Sequence, residues 1–81
     1  MAQVFDIIEG LHNNGELSKL CKLGIISPTI YRYFNLERDK RMIEKRYKRS
    51  TKGRNYQRVC ELHSVSIITL HNATKLMNSN Y

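Results

Sequence analysis

The stretch VCELHSVSIITLHNATKLM, residues 59–77, decides the fold. It reads as two short helices separated by a tight turn. Val59 and Cys60 are apolar, and Leu62 and His63 follow one turn later. Ser64-Val65 breaks the pattern. Ser66 then stands where a hydroxyl accepts an orphan backbone N–H and caps a second helix. Beyond it Leu70, Ala73, Thr74 and Met77 recur at three- and four-residue steps, a stripe that a helix buries on one face. Ile67, Ile68, His71, Asn72 and Lys75 lie off that stripe.

Immediately upstream the chain is strongly basic. The 81 residues hold 14 Lys and Arg against seven Asp and Glu, a net charge of +7. Ten of those cations fall within residues 38–58, where only Asp39 and Glu44 oppose them, so that stretch carries +8 and the remainder −1. Such a block favours a polyanionic partner, nucleic acid or a membrane surface. A chain this short buries a modest fraction of its surface and is marginally stable alone, which makes a homodimer a reasonable expectation.

Moving outward, residues 2–12 predict a first helix with Val4, Phe5, Ile8 and Leu11 as its apolar stripe and Ile7 beside it. Asn13-Asn14-Gly15 stops it. A short helix over 16–23 turns Leu17, Leu20 and Cys21 inward and ends at Gly24 as a C-cap glycine. Ser27-Pro28, a capping serine with proline at the first helical position, opens a helix running to about residue 35. A basic helix over 37–49 carries Met42, Ile43 and Tyr47. Residues 50–53 predict a polar loop, the next helix runs from about 56 to 63, and residues 78–81 are expected to fray. The expectation is all-α: a compact domain of about six short helices, with an N-terminal lobe over 1–36 and a C-terminal lobe over 37–77.

The segment 59–77 resembles a helix-turn-helix residue by residue. Cys60 holds the small inner position usually taken by alanine, Ser64 the turn position usually taken by glycine, Val65 the turn apolar, Ser66 the cap and Thr69-Leu70 the threonine–aliphatic pair. The second helix of that motif enters the DNA major groove. Its exposed candidates for base contact are Ser66, Ile67, Ile68, His71, Asn72 and Lys75. Asparagine pairs bidentately with adenine, and an apolar side chain touches the thymine methyl. The plainer reading of Ile67 and Ile68 is a dimer or lobe–lobe contact. Arg41, Lys45, Lys48, Arg49, Lys52, Arg54 and Arg58 are candidate phosphate contacts, with Lys52 and Arg54 favoured because the loop precedes the motif. The plainer reading of this basic stretch is a solvated helix face. Residues 16–35 form a second candidate of the same kind at an offset of 40. There Gly24 matches Ser64 and Thr29-Ile30 matches Thr69-Leu70, and Ser27, Thr29, Tyr31, Arg32 and Asn35 would be a second reader. The alternative for this unit is a dimerisation or packing lobe, with the aromatics at 31, 33 and 34 filling it.

Residues 43–77 resemble the C-terminal helix-turn-helix of the Mor-type activators of Mu-like phages. Ile43 and Tyr47 stand for that family's aliphatic-aromatic helix, Gly53-Arg54-Asn55-Tyr56 for its loop, and Val65-Ser66 with Thr69-Leu70 for its turn and recognition helix. The resemblance covers under half the chain, and the usual turn glycine is replaced by Ser64. It implies a transcription regulator of a phage or mobile element that contacts double-stranded DNA as a dimer.

Other classes find little purchase. Cys60 and His63, with His71 and Cys21, have no CxxC pair, and Cys60 already has a core role, so no metal is expected. The carboxylates are scattered and no Gly-rich phosphate loop occurs, so neither an enzyme nor a cofactor or small-molecule ligand is expected. The cysteines suggest no disulfide framework, and neither a signal peptide nor a transmembrane run is present. The default is a cytoplasmic protein of a bacterial or phage-infected cell. The rivals are a phage DNA-packaging adaptor, an RNA-binding or antitermination factor, and a host-directed inhibitor.

Overall fold

Among the described residues Pro28–Arg46 forms one continuous helix, the third of five; the first, fourth and fifth pack against it, and the second packs against the first. The structure, a computed structural model, describes residues 3–80. Its elements are α1 (Val4–Asn13), α2 (Glu16–Lys22), α3 (Pro28–Arg46), α4 (Lys52–His63) and α5 (Ile67–Met77). Among the described residues the fold is all-helical, with five helices where the sequence predicts six. The difference lies in α3. Residues 35–37 contain no glycine, proline or cap, so nothing local stops the helix. Leu36 and Glu37 are both buried, and packing carries the helix through.

Local chemistry sets most boundaries. Gln3 and Asp6 form a reciprocal capping box at α1. Gly24, at φ +77°, adopts the left-handed conformation that closes α2, and the Ile25 amide donates back to the Leu20 carbonyl at 3.0 Å. Ser27 caps α3, its Oγ accepting from the Ile30 amide at 3.2 Å with Pro28 in the first turn. The start of α4 differs from the sequence expectation of a loop over 50–53. Thr51 Oγ1 accepts from the Arg54 amide at 3.3 Å, so Lys52 and Gly53 form the first helical turn. Glycine is tolerated there because first-turn amides have no intrahelical partner to lose.

Two buried clusters fill the interior. Phe5, Ile8, Leu17, Phe34 and Met77 make one; Leu36, Val59, Leu70 and Ala73 make the other, and Tyr33 packs against both. Because α3 and α5 each contribute to the two clusters, they tie the N- and C-terminal halves together.

A polar network crosses the α3–α5 seam. Glu37 is 1% exposed, and its Oε1 accepts from Lys40 Nζ at 3.0 Å, Arg41 Nε at 3.2 Å and Asn78 Nδ2 at 3.3 Å. Lys40 also donates to Thr74 Oγ1 at 3.3 Å. Arg41 lies 3.8 Å over the Phe5 ring and donates to Gln3 Oε1 and Asn78 Oδ1. Residues 78–80, expected to fray, are therefore held. The Val4 amide donates to the Ser79 carbonyl at 3.0 Å, and Gln3 and Asn80 form an antiparallel bridge. Residues 2 and 81, which the sequence placed in the first helix and in the tail, lie outside the described residues.

Candidate nucleic-acid interface

The connection between α4 and α5 is three residues long. Ser64 takes the left-handed conformation (φ 54°, ψ 46°), and the Val65 amide donates to the Cys60 carbonyl at 3.0 Å. Ser66 is extended and caps α5, its Oγ accepting from the Thr69 amide at 3.3 Å. A serine in the left-handed region supplies the bend that glycine would supply at lower cost. Leu70, Ala73 and Met77 then turn inward.

That leaves Ile67, Ile68, His71, Asn72 and Lys75 exposed on the outer face of α5. Ile67 is 44% exposed and Ile68 68%. Ser66 is exposed too, although its hydroxyl is engaged as the cap. One contact places this face relative to α4: the Tyr56 and His71 rings meet edge-on, centroids 5.6 Å apart. Lys52 lies one turn before Tyr56 on the same side of α4.

The basic residues divide into two groups. Lys45, Lys48, Arg49, Lys52 and Arg54 are exposed, and among the described residues none of their side chains is held by a hydrogen bond or ion pair. They cluster at the end of α3, in the connection and on the first turn of α4. Arg46, which the sequence reading did not select, is exposed in the same cluster. Arg41 and Arg58 are different. Arg41 is spent on Glu37, Asn78 and the Phe5 ring. Arg58 lies 4.0 Å over the Tyr47 ring and donates to Asn55 Oδ1 at 2.9 Å and Ser50 Oγ at 3.2 Å, fastening the α3–α4 connection. Glu37 and Asn55 are one turn away on the same helices, but Gln3, Asn78 and the Phe5 and Tyr47 rings are brought in by the fold, which composition alone does not signal.

The earlier candidate unit, residues 16–35, is built differently from α4–α5. Its helices are separated by five residues, and α2 packs against α1 while its buried Leu17 joins the Phe5–Phe34 cluster. Ser27 is the cap of α3, Tyr31 is packed against that cluster and Asn35 is half-buried; Thr29 and Arg32 are exposed.

The other polar groups serve structure. His63 Nε2 lies 2.6 Å from Asp39 Oδ2; the carboxylate only accepts, so this nitrogen carries the proton. Arg38 donates to His12 Nε2 at 3.1 Å. Partial burial pushes the Cys60 thiol up, and the Glu61 carboxylate adds to the shift, which keeps it a neutral, small core group. Among the described residues no group of three or more His, Cys, Asp or Glu side chains is arranged to hold a metal ion, and no helix is long and apolar enough to cross a membrane. No known protein family matches the chain, and neither a curated protein nor a solved structure is significantly similar to it.

Proposed function

We propose that the chain binds double-stranded DNA in a sequence-specific manner, with α4 and α5 acting as a helix-turn-helix, and serves as a transcription regulator of the kind found in phages and mobile elements. The observation that carries this reading is the Tyr56–His71 contact, which sets the exposed face of α5 against the second turn of α4, directly after the turn that holds Lys52 and Arg54. On this reading α5 lies in the major groove. Asn72 reads adenine, Ile67 and Ile68 touch thymine methyls, and His71 and Lys75 reach base edges or the adjoining phosphates. Lys45, Lys48, Arg49, Lys52 and Arg54 hold the backbone, helped by the positive end of the α4 dipole. Arg41 and Arg58 are assigned to the scaffold.

Selection from a randomised duplex pool, followed by a salt titration on the selected sequence, tests this. A defined, A·T-containing motif should emerge. Each neutralised phosphate contributes about −0.9 to the slope of log affinity against log salt, so five cations give a slope of roughly −4 to −5. Salt-sensitive binding without enrichment of any sequence would overturn the base readout and leave only the electrostatic part.

A further inference from the structure

The outer flank of α3 and α4 carries an open groove of about 460 Å³ that the proposed DNA contacts do not use. Its floor is apolar: Met42, Ile43, Tyr47 and Leu62. Met42 is 63% exposed and Leu62 66%, on a chain small enough that each exposed apolar residue is a sizeable forfeit of burial. The rim is charged with both signs. On α3, Asp39, Met42 and Arg46 follow at three- and four-residue steps and share one stripe, with the acid at one end, the base at the other and the methionine between. Asp39 to Arg46 spans about two helical turns, roughly 10 Å.

We propose that this groove is the docking surface for a second copy of this chain, the two α3 helices running antiparallel about a two-fold axis near Met42. A two-fold contact sets the same patch against itself. Antiparallel pairing then brings Asp39 opposite the partner's Arg46 and Arg46 opposite the partner's Asp39, while Met42 and Leu62 bury against their own copies. The mixed rim is what selects this occupant. A second copy sets both Asp39 and Arg46 against their opposites, while Arg58, the other cation of the rim, is already held by Tyr47, Ser50 and Asn55. Asp39 keeps acceptor capacity beside its bond to His63 and its 3.9 Å ion pair with Arg38, because a carboxylate accepts several hydrogen bonds. The groove also faces away from the outer face of α5, though Arg46 borders the basic cluster. On α4, Arg58 and Leu62 line the groove, whereas Tyr56 and Cys60 pack toward α5 and the second cluster. The dimer therefore leaves the outer face of α5 open in both copies.

Sedimentation equilibrium on the full chain without DNA tests this independently of the DNA reading. The wild type should reach dimer and go no further. Arg46→Asp and Asp39→Arg should each be monomeric, since each sets two like charges face to face. Mixed in equal amounts they should form a heterodimer, because every facing pair is then opposite in sign. Met42→Asp, at an exposed position, should be monomeric with unchanged helical circular dichroism. It carries the test with Arg46→Asp if loss of the His63 bond unfolds Asp39→Arg. A wild type that stays monomeric at high micromolar concentration, an assembly larger than two, persistence of the dimer in Met42→Asp and Arg46→Asp, or a mixture of folded single variants that fails to associate would each overturn the proposal.

Discussion

Glu37 is the residue whose removal should cost the fold most for its size. It is a carboxylate at 1% exposure, and its Oε1 takes three donors, from Lys40, Arg41 and Asn78, while its Oε2 is buried with no hydrogen-bond partner. Deleting one partner of a buried ion pair costs about 3–5 kcal/mol, because the other charge is stranded. Here the stranded group is Lys40, itself 6% exposed. It retains Thr74 Oγ1 at 3.3 Å and the Glu44 carboxylate at 3.9 Å, which places the cost of Glu37→Met at the lower end, about 3 kcal/mol. Arg41 loses less, since it keeps Asn78 and the Phe5 ring. A domain of this length has about 4–12 kcal/mol in total, so Glu37→Met should lower the melting temperature by roughly 12–24 °C. Replacing Lys40 as well removes the stranded charge. Glu37→Met with Lys40→Met should cost about 2 kcal/mol less than the sum of the single variants. The assay is urea unfolding of the four proteins in a double-mutant cycle, with unchanged slopes as the check that unfolding stays two-state. A loss under about 1 kcal/mol for Glu37→Met, or coupling below about 0.5 kcal/mol, would refute the description of this network as a buried, interdependent unit.

Two further predictions concern the α4–α5 turn and the basic cluster. Ser64→Gly removes a left-handed conformation that costs a side chain about 1–2 kcal/mol and adds unfolded-state entropy worth about 0.5–1 kcal/mol, so it should stabilise by about 0.5–1 kcal/mol in thermal unfolding; destabilisation would show that the Ser64 side chain has a role of its own. Replacing Lys52 and Arg54 together by glutamine should reduce the salt slope of DNA binding by about 2 while leaving stability unchanged, whereas Arg58→Met should lower stability through the loss of Tyr47, Ser50 and Asn55 and leave the slope unchanged.

What could be read from the chain depended on how local the determinant was. The α4–α5 turn was legible because a three-residue break ending in a capping serine and a stripe of four positions all lie within nineteen consecutive residues. The joining of residues 28–46 into one helix was not. The sequence there shows a change of character from aromatic to basic, and only burial of Leu36 and Glu37 by α4 and α5 shows that the helix continues. Lys52 and Gly53 were misplaced into a loop because glycine weighs against a helix in its interior but not in its first turn. The basic block was legible as charge and illegible as geometry. Seven cations stood as phosphate candidates, Lys52 and Arg54 favoured among them, yet Arg41 is consumed by partners 4 to 38 positions away and Arg58 by an aromatic face across the α3–α4 connection. The tail is held by Val4, Gln3 and Arg41, none of which its own composition announces.

The two proposals are linked by geometry. If α5 reads DNA and α3 pairs copies across a two-fold axis, the bound site should be an inverted repeat, each half read by one copy. A monomeric reader would select a single unrepeated element.

If the outer face of α5 reads bases rather than merely adding charge, the Asn72→Ala, Lys75→Ala double variant should lose affinity for its selected duplex far more than for random duplex at the same salt concentration. Each lost base contact costs about 1–3 kcal/mol of discrimination, so the two together should weaken specific binding by about 30-fold to 10,000-fold while random-duplex binding falls only by the single phosphate-range charge of Lys75. An equal loss on both duplexes would contradict the account.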